Sequence, residues 1–143
     1  MSFKNLSVFT SRLRRRGTVK AQRHAVRAVT KAVMLVSNDA KSSIAEGGSG
    51  EVVARYNPRR THTQSKAGQP PATDTGFLIS QITTEVNTKM GGAVVGKVIS
   101  AAPYSQALEY GTTNMQARPF LHPALRRNQG KIRAIFLKEG IIG

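Results

Sequence analysis

Apolar residues in the first third of the chain recur every three or four positions, which is the spacing of one helix face. The recurring residues are Val26, Val29, Val33, Val36, Ala40 and Ile44. Thr18 is a suitable N-cap, and the segment EGGSG at 46–50 supplies the glycines that end many helices. The pattern predicts a long helix from Thr18 to about Ala45, with its apolar stripe on the core.

The middle of the chain alternates between strand-like and loop-like composition. The segment EVVARY at 51–56 is typical of a strand, whereas residues 57–74 contain almost no large apolar side chain. We therefore expect a long exposed loop at 57–74. The segments ITTEVNT and AVVGKVIS flank KMGG at 89–92, and glycine pairs supply the positive φ values of tight turns. These segments predict an antiparallel hairpin.

The last third predicts short helical segments. TGFLISQI, residues 75–82, favours a helical turn with Phe77, Leu78 and Ile82 facing inward. A second short helix begins near Pro103 and ends at Gly111.

Pro123 suits the first turn of a final helix, because its missing N–H has no helical partner there. The expected apolar positions of this helix are Leu125, Ile132, Ile135 and Phe136, with a break expected at Gly130. The predicted fold is α+β: a long N-terminal helix packed on a short antiparallel β-sheet, with C-terminal helical segments. Residues 1–18 form a basic N-terminal arm and residues 19–143 a single domain that contains the loop 57–74.

Composition narrows the function classes. The 143 residues include no cysteine, which excludes disulfides, thiolate metal sites and a cysteine nucleophile. No apolar run approaches the roughly 20 residues of a membrane-spanning helix. The basic N-terminus also lacks the apolar core of a signal peptide. We expect a protein made in a cytoplasm that does not associate with membranes.

Charge is the strongest property of the whole chain. Twenty-two lysines and arginines face seven acids, which gives a net charge of +15. Such a field attracts polyanions, so nucleic acid or an acidic protein surface is an expected partner; the alternative is a solvated basic surface. The candidate contact residues precede the first acid, Asp39, and are Arg12, Arg14, Arg15, Arg16, Lys20, Arg23, Arg27 and Lys31.

The acids do not form a catalytic pattern. No two of them are closer than five residues, and no metalloprotease, Walker or nucleophile-elbow motif is present. Glu109 and His122 are close enough in sequence to meet across a turn, yet such a pair more often forms a salt bridge or a cap. We expect no enzyme, cofactor or metal site, with His62 as a loop residue. For Glu109 we expect an ion pair with Arg118 that joins two helices.

The ordered segments GQPPATDTGFLISQI and APYSQALEYGTTNMQARPFLHPALRRN, separated by the glycine hairpin, carry a resemblance. They resemble tailed-bacteriophage neck and tail-completion proteins, which are related to the minor tail protein Z group. The resemblance covers roughly residues 70–128, and Ser105 departs from the alanine that the family often has. The matched positions are Pro71, Thr75, Gly76, Leu78, Pro103, Tyr104, Leu108, Glu109, Tyr110, Gly111, Thr112, Ala117, Arg118, Pro119, Phe120, Leu121, Pro123 and Ala124.

The resemblance implies a structural virion protein of the head–tail junction, made in the host bacterial cytoplasm. It implies a ring of identical subunits, expected to be a hexamer, that caps the tail tube and joins it to the head connector. The implied partners are other copies, the connector or stopper, and the tail tube or tail terminator, with genome DNA passing through the lumen. In this family the matched residues serve fold and ring contacts rather than catalysis.

Two hypotheses from other classes stand beside this one. The first is a free nucleic-acid-binding module that uses the basic residues between Arg12 and Lys31. The second is an RNA-cleaving toxin that uses Glu109 and His122.

Overall fold

The computed structural model describes the backbone of residues 6–56 and 59–142, and the side chains of this set except those of residues 6–16 and 60. In chain order the elements are α1 (Leu6–Ala45), β1 (Val52–Tyr56), β2 (Arg59–Thr63), α2 (Phe77–Ser80), β3 (Ile82–Thr88), β4 (Val94–Ser100), α3 (Ser105–Tyr110) and α4 (Leu121–Lys138). Helix α1 packs on the β3–β4 hairpin, and α4 packs on α1. The predicted α+β fold is confirmed.

The apolar stripe of α1 forms one wall of the core. Val33, Val36, Ala40 and Ile44 are buried, as the spacing predicts. The predicted start at Thr18 is wrong, because the helix begins at Leu6 and includes most of the predicted basic arm. Arginine and leucine are good helix formers, and a single interior glycine, Gly17, costs only about 1 kcal/mol.

The β3–β4 hairpin lies directly against α1. Its register runs from Ile82 opposite Ser100 to Thr88 opposite Val94, and Gly91 and Gly92 provide the positive φ values of the turn. A Cβ at Gly96 would lie 2.5 Å from a methyl carbon of Val29 and of Val33. The absence of a side chain at Gly96 therefore lets the helix approach the sheet this closely.

A second hairpin replaces part of the predicted loop. Strand β2 pairs antiparallel with β1, from Val52 opposite Thr63 to Tyr56 opposite Arg59. The expectation of a long exposed loop over 57–74 is wrong for Arg59–Thr63, and His62, expected in that loop, lies in β2. Strand β2 has the sequence RRTHT and contains no large apolar side chain, so its sequence carries little hydrophobic signal.

Two predicted apolar contacts near α2 and α4 are wrong. Leu78 and Ile82 are buried, but Phe77 is exposed beside Tyr104, with their ring centroids 6.2 Å apart. Leu125 is also exposed.

Helix α4 passes through Gly130 without the expected break. Helix propensity alone does not decide this position, because the helix is held on α1 by its partly buried positions, among them Ile132. The fully buried Phe120, Ile44 and Ile82 join the N-terminal helix, the sheet and the start of α4 in one core.

Candidate functional site

Glu109 lies at the end of α3 and holds the start of α4. One of its carboxylate oxygens accepts the backbone N–H of Phe120 at 2.9 Å and of Leu121 at 3.1 Å. The other accepts the N–H of His122 at 2.8 Å. The first N–H groups of a helix have no partner within it and carry a partial positive charge, so a carboxylate there is stabilising. Glu109, which lies outside α4 in the same chain, therefore caps the N-terminus of α4.

The turn between α3 and α4 depends on Gly111. Its φ of 78° and ψ of 176° belong to a region that is nearly confined to glycine. A Cβ there would also lie 2.9 Å from the backbone N of Ala117 and the O of Met115. Thr112 and Met115 then close a small bridge, with the Thr112 N–H donating to the Met115 carbonyl at 2.8 Å. This turn brings the chain back so that Glu109 faces residues 120–122.

Arg118 does not pair with Glu109, which corrects the predicted ion pair. Both oxygens of Glu109 are directed at backbone N–H groups. Arg118 contributes through its main chain, whose N–H donates to the Leu108 carbonyl at 2.6 Å. Its Nε is buried and has no hydrogen-bond partner among the described residues.

The remaining motif residues divide between core and surface. Phe120 and Leu78 are buried in the core. Gly76 has a φ of 75° and precedes α2, where the Thr75 hydroxyl accepts the Phe77 N–H. Tyr110 and Tyr104 are exposed rather than part of the core, Thr112 is exposed, and Pro119 is half-buried.

Each of the three histidines lies near an acid. His122 donates its backbone N–H to Glu109, so this contact is not the side-chain dyad of the RNA-cleaving toxin hypothesis. His62 lies 3.8 Å from Asp74, and His24 lies 3.0 Å from Glu139. Over the described residues, no three His, Asp or Glu side chains come together in a way that could hold a metal ion.

Sequence reasoning missed the ion cluster at the far end of α4. Glu139 accepts a hydrogen bond from the Lys31 ammonium at 2.6 Å and lies against the His24 ring. The Lys31 ammonium and then His24 lower the pKa of the Glu139 carboxyl to about 2. Lys31 is thus engaged within the fold, while Lys20, Arg23 and Arg27 are exposed. The side chains of Arg12, Arg14, Arg15 and Arg16 lie outside the described residues.

A second group of side-chain contacts, centred on Asp39, joins α1 to the middle of α4. Arg127 reaches Asp39 through Nη2 at 2.9 Å and Nε at 3.1 Å, and the buried Asn128 donates to Asp39 at 3.0 Å. Asn128 also donates to the Ala124 carbonyl. Asp39 therefore joins α1 to two consecutive residues of α4.

A groove of about 730 Å³ opens between α1, β4, α3 and α4. Its walls are largely apolar and include Val29, Val94, Val98, Leu125 and Phe136. Glu109, Tyr110 and His122 lie along it, so the capped joint is also a boundary of this groove.

The chain matches no protein-family model, and no curated protein or solved structure is similar enough to it to count as a match. The resemblance to tail-completion proteins thus depends on the motif residues alone. None of the described helices is long and apolar enough to cross a bilayer.

Proposed function

We propose that this protein is a structural subunit of the head–tail junction of a tailed bacteriophage. It forms a ring, as a hexamer matching the tail tube, that caps the tube and joins it to the head connector. One observation carries this proposal: the most characteristic motif residue, Glu109, accepts hydrogen bonds from three backbone N–H groups, which is the fold-forming role that the resemblance implies for it.

The surface of the subunit supports an assembly role. The groove beside the capped joint is open and largely apolar. Exposed large apolar side chains also occur on separate elements, among them Val52, Tyr56, Tyr110 and Leu125. A large exposed apolar patch such as this groove is a mark of protein–protein contact, and neighbours that bind the folded subunit stabilise it.

The test is removal of the gene from the phage that encodes it. We expect separate full heads and finished tails by electron microscopy, because the joint between them is missing. In wild-type particles, mass spectrometry should find the protein in the virion. Joined, infectious particles without the protein would contradict the proposal.

A nucleic-acid-binding module is the second candidate, favoured by the exposed basic side chains of α1. Lys20, Arg23 and Arg27 are exposed and precede the first acid of the chain. A protein that neutralises six phosphates should bind duplex DNA with a slope of about −5 in log K against log salt. A shallow slope, or no binding at low salt, would contradict this candidate.

The two candidates combine if the basic arm contacts the genome inside the ring. Charge reversal of Arg14, Arg15 and Arg16 tests this combination directly. We expect assembled particles that lose DNA. Particles that assemble and retain DNA normally would contradict a role of the arm in DNA contact.

A further inference from the structure

The β3–β4 hairpin has an unpaired edge along β4. Two hydrogen bonds at its ends show which residues pair with the partner strand. The Ala101 N–H donates to the Gln81 carbonyl, and the Lys89 N–H donates to the Ala93 carbonyl. Along an antiparallel pair, residues that exchange hydrogen bonds with the partner strand alternate with residues that do not. Because Ala93 and Ala101, which flank β4, bond to the residues that flank β3, the odd-numbered residues of β4 bond to β3 as well. The N–H and C=O groups of Val94, Gly96 and Val98 are then directed away from β3.

This edge borders the apolar groove. Val94, Gly96 and Val98 all line it, and none of the described backbone bonds outside the strand ladders uses their N–H or C=O. At the end of the same edge, the Ser100 hydroxyl is buried without a hydrogen-bond partner among the described residues. An open edge beside an apolar wall is the arrangement that accepts an added strand, with backbone bonds for affinity and side-chain pockets for specificity.

The β1–β2 hairpin has the complementary property. Val52, Ala54 and Tyr56 share one face of β1, because side chains alternate along a strand. All three are exposed, with Val52 at 62% and Tyr56 at 84%. Among the described elements, neither the helices nor the other hairpin packs extensively on it. A two-stranded hairpin is marginally stable by itself, so contact of this exposed face with a partner would add to its stability.

We propose that the β1–β2 hairpin of one copy inserts into the groove of a second copy, where β1 adds to the open edge of β4. The exposed face with Val52 and Tyr56 then covers the apolar groove wall. The groove of the same copy is not filled by its own hairpin, since no residue of β1 or β2 lines it. This inference rests on the proposed function, because it assigns the subunit contact of the ring.

The contact is heterologous, since a hairpin meets a groove rather than another hairpin. Contacts of this kind repeat around a rotation axis and close into rings. Each copy uses one hairpin and one groove, so a closed ring leaves no open β4 edge. Charge sets the salt dependence: copies of +15 repel each other, so added salt should strengthen the contact.

The absence of cysteine allows a clean crosslinking test on the full chain. Tyr56→Cys labels the hairpin and Leu125→Cys labels the groove, and both parent side chains are exposed. A mixture of the two single variants, treated with a short bis-maleimide, should give covalent dimers. The double variant should give a ladder that ends at the ring number. The matched control replaces Leu125→Cys by Thr83→Cys, which lies on the exposed part of β3.

We expect crosslinking roughly tenfold or more above this control, because contact raises the effective concentration of the two thiols. Dimers from Tyr56→Cys alone at the same yield would overturn the inference in favour of a hairpin-to-hairpin contact. Rings that form without any Tyr56–Leu125 crosslink would overturn it while leaving the proposed function intact. Crosslinking of Leu125→Cys to a different virion protein would overturn it in favour of a connector or tail strand in the groove.

A proline variant separates the edge contact from folding. Val94→Pro removes an N–H that faces the groove and leaves the ladder to β3 in place. Thr88→Pro is the control, because Thr88 is opposite Val94 and its N–H faces the other edge. Sedimentation should show weakened association for Val94→Pro only, with both variants folded by circular dichroism. Equal association of the two variants would overturn the edge contact, whereas heads and tails that join normally without the gene would overturn the proposed function itself.

Discussion

Helix α4 is held at its two ends by two carboxylates that act differently. At the N-terminal end, Glu109 accepts three backbone N–H groups, from residues 120–122. At the C-terminal end, Glu139 meets two side chains of α1, Lys31 and His24. One carboxylate satisfies main-chain donors that no other group of the helix can satisfy, and the other joins two long side chains.

The contrast between the two carboxylates shows which end of α4 depends on a single residue. The backbone donors facing Glu109 are fixed by the helix, so little side-chain entropy is lost in holding them. Lys31 is half-exposed, and an ion pair with such a group is screened by water and salt. An acid at a helix C-terminus also opposes the helix dipole, which the cations of α1 offset. We therefore expect the N-terminal end to be sensitive to mutation and the C-terminal end to be tolerant.

The largest effect is expected at Gly111, which sets the turn that aims Glu109. Gly111→Ala places a Cβ against the backbone of residues 115 and 117 at a φ of 78°. We expect a loss of about 3 kcal/mol of unfolding free energy, measured by urea denaturation. Gly130→Ala is the matched control, because it lies within α4 with nothing nearby and should stabilise by up to about 1 kcal/mol. Equal stability of the two alanine variants would contradict the role of the turn.

The next effect is expected at Glu109 itself. Glu109→Ala leaves three N–H groups to water or to no partner, and we expect a loss of about 2 kcal/mol in the same measurement. Glu109→Gln keeps an acceptor but not the charge that favours a helix N-terminus, so about half of that loss should return.

Exchange of the amide hydrogens gives a local test of the same cap. In Glu109→Ala the N–H groups of Leu121 and His122 should exchange faster, whereas those near Leu137 should not change. A uniform increase along α4 would mean that Glu109 acts on global stability alone.

Sequence reasoning captured the features that have a local signal. The KMGG turn, the stripe from Val33 to Ile44 and the end of α3 at Gly111 all follow from spacing or from backbone conformations that favour glycine. The strand β2 escaped detection because its exposed residues carry no hydrophobic period. The helix start at Leu6 was missed because arginine-rich segments are helix-compatible without an apolar face.

The contacts of the site were harder to predict for two physical reasons. An ion pair between Glu109 and Arg118 was expected because opposite charges can be read from the residue types. Backbone N–H groups occur at almost every residue, so the sequence does not show which of them a carboxylate will bind. Glu109 lies 12 residues before Leu121, so the turn at Gly111 must form before the two can meet. Glu139 and Lys31 are 108 residues apart, so only the packing of α4 on α1 brings them together.

A smaller effect is expected at the C-terminal end. Glu139→Gln removes the ion pair with Lys31 and the carboxylate that meets His24, but it keeps a polar side chain of similar size. The shift in the urea midpoint should be smaller than that of Glu109→Ala. It should shrink further at about 1 M salt, where the Debye length is roughly 3 Å. A shift as large as that of Glu109→Ala, or one that does not respond to salt, would remove the contrast between the two ends.

The smallest effect is the pH dependence that Glu139 confers. Its pKa is lowered from an ordinary 4.5 to about 2, first by the hydrogen bond from Lys31 and then by that from His24. The unfolded chain therefore binds a proton at Glu139 at a higher pH than the folded chain does, so this contribution to stability is present above about pH 4.5 and is lost as the pH falls towards 2. Urea midpoints measured across this interval should fall less steeply in Glu139→Gln than in the wild type. Parallel curves would show that the ion cluster holds α4 in position without stabilising the fold.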